Sequence, residues 1–296
     1  MAPPCKNGAM APSNTSSPRT IDRLAFIGTG NMNGAILRGI LAGGFDPGQI
    51  TATVRGPEKA ARLAADTGVA ALATGEDPEA NRQAVSGADI VFLGVKPVGI
   101  QDACRDIATS LSPAAVVVSV AAAVTIGMIE AALPAGQPVV RSMPNTPLTV
   151  GKGVVALAGG TSASAADVAA VTGLFSGAGL VREVAEGQLD AVSAVSGSGP
   201  AYAFYLAEAM AAAGEALGLD AGLSRDLARA TVAGAGAMLD DPQADPSALR
   251  TAVTSPHGTT QAALEGFDAA GIPAGIAAGA RAAAERAAQI TRELAG

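Results

Sequence analysis

Two short stretches of this 296-residue chain carry residue types at spacings that could do chemistry. In IGTGNMNGAI, at 27–36, Gly28 and Gly30 follow an apolar run and precede a helical one. Glycines in a strand–turn–helix let a pyrophosphate approach free backbone N–H groups, where the helix dipole favours an anion. In AVTSPHGTTQAAL, at 252–264, Ser255, Thr259 and Thr260 surround His257, the only histidine of the chain. A segment that opens a helix offers free N–H groups to a carboxylate. An imidazole there can change charge near neutral pH, so a proton donor is one reading and a loop that works through its backbone is the other.

Three further stretches belong with these. TVRGPEK puts Arg55 near the end of a second strand, with no acid before Glu58. An NAD site usually has Asp or Glu there for the ribose 2′-hydroxyl, whereas a cation suits a 2′-phosphate. The expected cofactor is therefore NADPH, with NADH as the other option. The third small position of the glycine pattern is Asn33, with Gly34 just after it, so the first helix must pack differently there. SAVSGSGPAYAF, at 193–204, reads as a sharp break before a long helix that Ser198 and Gly199 could cap, with Pro200 in its first turn. In VRSMPNTPLTV, Asn145 lies between two prolines at the C-terminal end of a strand, the edge that faces the ligand crevice in an open parallel sheet.

The elements that must hold these residues fall into two regions. Apolar runs at 24–27, 50–55, 69–72, 88–97, 115–120 and 138–147 alternate with helical segments, which indicates a parallel sheet covered on both faces. Runs at 153–158 and 179–184 could add edge strands. After about residue 185 no strand is expected, and Ala-rich helices read over 199–217, 222–239, 259–270 and 273–294. The expected fold is α/β: an N-terminal Rossmann-type, doubly wound, mostly parallel sheet at 21–185, and a C-terminal all-α dimerisation and substrate-binding domain at 186–296. Residues 1–20, rich in Pro, Ser and Asn, read as a disordered tail. The first C-terminal helix is small or apolar almost all round, so it needs cover on several sides, which an interleaved dimer would supply.

Composition narrows the partners. Hydrophobic residues make up 49% and charged ones 15%, so the chain should be globular. The net charge of −7 and the lack of a long basic block exclude a nucleic-acid partner. Cys5 and Cys104 make neither a metal spacing nor a disulfide framework, which fits a reducing cytoplasm and no metal. The most apolar run, at 114–129, is shorter than the roughly 20 residues of a spanning helix, so no membrane segment is expected.

Taken together, GTGNM, GVKP, RSMPNTP, VSGSGPAYAF and VTSPHGTT, in that order, resemble the 1-pyrroline-5-carboxylate reductases, which complete proline biosynthesis. The resemblance spans about 22–292. It implies reduction of 1-pyrroline-5-carboxylate to L-proline by a homodimer with interleaved C-terminal helices, often assembled into a ring of dimers. It carries cofactor contacts to Ile27, Gly28, Thr29, Gly30, Asn31 and Met32, and to Arg55, Gly56 and Asn81. Further contacts fall on Val95, Lys96, Pro97, Val120, Ala121 and Ala122. It carries substrate contacts to Glu186, near the substrate amine, and to Ser255, Gly258, Thr259 and Thr260, with the Thr260 hydroxyl reaching the ring nitrogen as the catalytic contact. His257 stands where the family usually has glycine, which argues against an essential acid; a glycine there could have used positive φ.

Two alternatives remain open at this level. One is a related cyclic imine or ketimine reductase, served by the same cofactor parts. The other is a dinucleotide-binding sensor without turnover. Hydroxyacid dehydrogenase chemistry is disfavoured, because it needs a proton-transfer group such as Lys or His, and no lysine follows Lys152.

Overall fold

The computed structural model describes residues 19–295. Residues 1–18 of the expected tail, Cys5 among them, lie outside the described residues. Arg19, at the other end of that stretch, is anchored. Its guanidinium pairs with Asp167 and donates to the carbonyl oxygens of Ala114 and Asp89.

The described residues form an eight-stranded sheet in the order β3-β2-β1-β4-β5-β6-β7-β8. The strands are β1 Leu24–Ile27, β2 Ile50–Val54, β3 Ala70–Ala73, β4 Ile90–Leu93, β5 Val116–Ser119, β6 Val139–Pro144, β7 Gly153–Gly159 and β8 Gly179–Glu183. Pairing is parallel from β3 through to β6. Strand β7 then runs antiparallel to β6, and β8 pairs parallel with β7. The two C-terminal runs thus do extend the edge. The order reverses between β1 and β4, and ligands of open α/β sheets bind at such a switch point.

Strands β1, β4 and β5 are buried at every position, as their unbroken apolar sequences require. Alternate side chains feed two cores. Phe26, Phe92 and Val140 face one side with Phe175, and Ala25, Val91 and Val139 face the other with Cys104 and Leu189. Phe26 stacks on Phe92 at 4.7 Å, and Phe175 meets Phe92 edge-on at 5.9 Å. Burying each such ring stabilises by about 2–3 kcal/mol.

The covering helices are α1 Asn31–Ala42, α2 Pro57–Thr67, α3 Ala80–Val85, α4 Ile100–Ile107, α5 Ile126–Glu130 and α6 Ala165–Leu174. Local chemistry sets their ends. Ser164 and Asp167 close a capping box at α6, Thr125 caps α5, and Gly68 ends α2 at φ +75°.

From Glu186 the described chain is helical: α7 Leu189–Val192, α8 Gly199–Ala216, α9 Ala221–Met238, α10 Pro246–Ala252, α11 Thr259–Ala269 and α12 Ile272–Ala295. Helix α10 was not anticipated. Its signal was Asp245 before Pro246, because the Asp245 carboxylate accepts from the N–H groups of Ser247 and Ala248. The expected sharp break before α8 is corrected. A π-helical turn, Ser193–Gly197, joins α7 to α8, and Ser198 stays in right-handed helical conformation, so its side chain caps nothing. Its N–H donates to Ser193 O at 2.8 Å, five residues back.

Helix α8 leaves Phe204, Tyr205 and Leu206 more than half exposed in the single chain, whereas Ala211 is buried. Leu227 on α9 and Phe267 on α11 are half exposed as well. Helices this apolar need a partner surface.

Candidate active site

The chemistry-bearing residues of the N-terminal half gather at the C-terminal ends of the strands. The first loop forms because Gly28 takes φ +73°, with its N–H donating to Thr53 Oγ1 at 3.0 Å. A β-carbon at Gly28 would sit 2.5 Å from Val95 Cγ1, so the loop after β1 and the loop after β4 are in contact. Gly30 is different. A β-carbon there would meet nothing within 4 Å, and no side chain among the described residues caps α1 behind it. Thr29 is almost fully buried, and its Oγ1 has no partner among the described residues. Open backbone, an uncapped helix start and a spare hydroxyl suit a bound pyrophosphate.

The departure at Asn33 has a physical account. Asn33 is fully buried, and its Nδ2 reaches Ile27 O at 3.3 Å and Phe92 O at 3.4 Å. A β-carbon at Gly94 would fall 2.3 Å from the Asn33 amide. The bulk lost at Gly94 is the room Asn33 occupies, so the helix packs closely without a glycine at the third position.

Arg55 stands exposed one residue beyond β2, where its carbonyl accepts from Gly75 N at 2.9 Å. Its guanidinium makes no hydrogen bond or ion pair among the described residues. Val120 N donates to Leu93 O at 3.1 Å, which brings the Val120–Ala121–Ala122 loop beside the Val95–Lys96–Pro97 loop. The next residue, Ala123, is buried with φ +63°. Asn81 is less available. Its Nδ2 donates to Asp106 Oδ2 at 3.0 Å, and its Oδ1 lacks a partner among the described residues.

Glu186 is already engaged. Its Oε1 accepts from Ile126 N at 2.6 Å and from Arg141 Nη1 at 3.2 Å. Arg141 is 5% exposed, and its other arm lies 3.6 Å from Asp190. Sequence reasoning missed Arg141. Its signal was a lone cation inside the apolar strand VVRSMP. The two carboxylates sit one helical turn apart and outnumber the single cation, so Glu186 Oε2 remains as an acceptor.

Asn145 ties the sheet to the helical region. Its Nδ2 donates to Ser196 O in the π turn at 2.9 Å, and its Oδ1 accepts from Val154 N at 2.8 Å. Tyr202 OH donates to Ala194 O at 2.8 Å, so two side chains satisfy carbonyls that the π turn frees.

Among the described residues, the loop at 255–260 hydrogen-bonds only to its own neighbours. Gly258 N donates to Ser255 O at 3.0 Å, and Thr254 Oγ1 to Arg250 O at 2.6 Å. Helix α11 starts at Thr259 behind Gly258, which has no side chain to cap it. His257 is exposed with φ +59°, the left-handed region open to glycine. The hydroxyls of Thr259 and Thr260 therefore stand at an uncapped helix start.

Burial pushes the Cys104 thiol from its ordinary 9.0 up to about 12, so it is an inert core residue rather than a nucleophile. No helix among the described residues is long and apolar enough to cross a membrane.

Comparison with known proteins adds independent findings. A family model described as pyrroline-5-carboxylate reductase dimerisation matches residues 186–290, and one described as NADP oxidoreductase coenzyme F420-dependent matches 23–123. The chain is 39% identical over 273 residues to the pyrroline-5-carboxylate reductase of Pseudomonas aeruginosa, covering 92% of this chain and 98% of that one. Among solved structures, a pyrroline-5-carboxylate reductase from Coxiella burnetii superposes with a TM-score of 0.83 at 34% identity, covering 93% of this chain and 99% of that chain. A Plasmodium falciparum pyrroline carboxylate reductase with NADP bound gives a TM-score of 0.78 at 25% identity, covering 93% and 100%.

Proposed function

The chain belongs to the pyrroline-5-carboxylate reductase family, and from that premise we propose how its residues divide the work of reducing 1-pyrroline-5-carboxylate to L-proline with NADPH, or with NADH as second choice. We divide the chain at Glu186, with dinucleotide binding before it and substrate binding and dimerisation after it. The observation that carries the reading is a pair of uncapped helix starts, one behind the open Gly30 loop and one carrying Thr259 and Thr260.

The cofactor is assigned to Ile27, Gly28, Thr29, Gly30, Asn31 and Met32 around the pyrophosphate, and to Arg55 and Gly56 at the 2′-phosphate. Asn81 and the two loops Val95–Lys96–Pro97 and Val120–Ala121–Ala122 complete that side. When bound, the reduced nicotinamide supplies the hydride.

The substrate is a cyclic imine bearing a carboxylate; protonated, it is an iminium and a good hydride acceptor. The free N–H groups behind Gly258, with the Ser255 and Thr259 hydroxyls, hold the carboxylate. The Thr260 hydroxyl reaches the ring nitrogen as a hydrogen-bond partner, and Glu186 Oε2 stabilises the positive charge. Positioning and electrostatics carry the rate, because the proton arrives with the substrate. His257 serves no acid role in this scheme.

The dimerisation region makes the protein a dimer or larger oligomer. We infer that the helices interleave, so that the 255–260 loop of one protomer completes the dinucleotide site of its partner, and that dimers assemble into a ring. The cysteine usage supports a cytoplasmic setting.

The test is NADPH oxidation with 1-pyrroline-5-carboxylate, repeated with NADH and with a six-membered cyclic imine. Turnover to L-proline, fastest with NADPH and the five-membered ring, is expected. Oxidation that fails to rise on adding the imine would sink the proposal.

A further inference from the structure

We propose that Gln261 is a positioning residue: it locks His257 in the left-handed backbone conformation and so aims the N–H groups and hydroxyls of Thr259 and Thr260. The inference rests on the assignment of the 255–260 loop to the substrate.

An L-residue at φ +59° is disfavoured by roughly 5- to 30-fold in population. Glycine escapes that penalty, but His257 does not. Something must hold it, and the hydrogen bonds identify what does. Gln261 Oε1 accepts from His257 N at 2.8 Å, and Gln261 Nε2 donates to Glu265 Oε1 at 2.8 Å one turn further on. The amide is thus fixed at both ends.

The arrangement departs from an ordinary capping box. There, the residue at the third helical position reaches back to the N-cap N–H. Gln261 is third in α11, yet its side chain passes the N-cap, Gly258, and takes the N–H of the residue before it. The N-cap N–H is already taken by Ser255 O at 3.0 Å. The first helical bond runs from Ala262 N to Gly258 O at 3.2 Å, so the N–H groups of Thr259, Thr260 and Gln261 find no acceptor within the described residues. Gln261 therefore spends its side chain on loop shape and leaves the first turn open to an anion.

The experiment is steady-state kinetics on the oligomeric protein with both substrates varied. Gln261→Ala is expected to raise KM for the imine about tenfold by freeing His257 from its strained conformation, with KM for NADPH within about twofold. Gln261→Glu keeps the acceptor for His257 N but loses the donor to Glu265, so it should recover part of the loss. The decisive variant is His257→Gly combined with Gln261→Ala. Glycine adopts positive φ unaided, so the double variant should bind the imine within about threefold of His257→Gly alone. A double variant as impaired as Gln261→Ala would overturn the inference, because Gln261 would then act on substrate directly. Wild-type kinetics from Gln261→Ala would overturn it too. A wild-type protein without imine-dependent turnover would instead remove the site reading beneath it.

Discussion

Arg141 Nη1 lies 3.2 Å from Glu186 Oε1, and the same oxygen accepts the Ile126 N–H at 2.6 Å. One carboxylate oxygen thus binds β6 (the last strand of the parallel run), the start of α5 and the entry to the helical region. Arg141→Met would leave Glu186 and Asp190 facing each other without a cation. Breaking a buried pair costs about 3–5 kcal/mol, and the one-third exposure of both carboxylates points to the lower end. Glu186→Gln keeps an acceptor for Ile126 N and should cost about 1–2 kcal/mol. Denaturant unfolding should show the double variant less destabilised than the two single losses summed.

Gly28 and Gly30 separate fold from ligand within three residues. Gly28→Ala forces a β-carbon onto Val95 at φ +73° and should lower stability by about 1–3 kcal/mol. Gly30→Ala meets open space, so its unfolding free energy should stay within about 0.5 kcal/mol of wild type. NADPH affinity, read by fluorescence titration, should nonetheless fall at least about tenfold. Full affinity in Gly30→Ala would argue that no pyrophosphate lies over this turn.

Arg55 tests cofactor choice. Arg55→Ala should raise KM for NADPH about 10- to 100-fold, the worth of a charged hydrogen bond, and leave KM for NADH unchanged. Equal losses with both cofactors would remove Arg55 from the 2′-phosphate.

Cys104 makes a pH prediction with a definite sign. Its folded value, about 12, lies above the ordinary 9.0, chiefly through burial. Its neutral form is therefore favoured by folding, and that stability is complete below pH 9. Between pH 9 and 12 the unfolded chain ionises first, so this thiol should lower the unfolding free energy by about 1.4 kcal/mol per pH unit. Cys104→Ala should flatten that part of the profile. In a Cys5→Ser background, native protein should react with iodoacetamide only as fast as it unfolds.

Much of the fold was legible because burial on both faces writes itself as unbroken apolar runs. IVFL at β4 and VVVS at β5 could be little else. What stayed hidden depends on register and on partners distant in sequence. Nothing near Asn33 indicates that Gly94, sixty-one positions on, makes its room. Arg141 could be seen as an odd cation, but not as the residue that meets Glu186. The run of Ser and Gly at 196–199 suggested a break, and a π turn satisfied by Asn145 and Tyr202 replaced it. At the candidate site, the glycine loop and the Thr259–Thr260 helix start were readable from local pattern. Positive φ at 257 was hinted at by the glycine usual there, but the Gln261 hydrogen bond that holds His257 in it was not legible, because no local propensity records it.

The exposed rings of α8 also change what stability means for this protein. Phe204 and Tyr205 are exposed in the single chain, and under the proposed interleaving of helices they join a core only when a second chain arrives. Folding of the helical region is then a second-order event, governed by mass action as well as by sequence. Dilution acts as a denaturant, the melting temperature should climb with protein concentration, and a substitution on α8 can abolish turnover without touching either ligand.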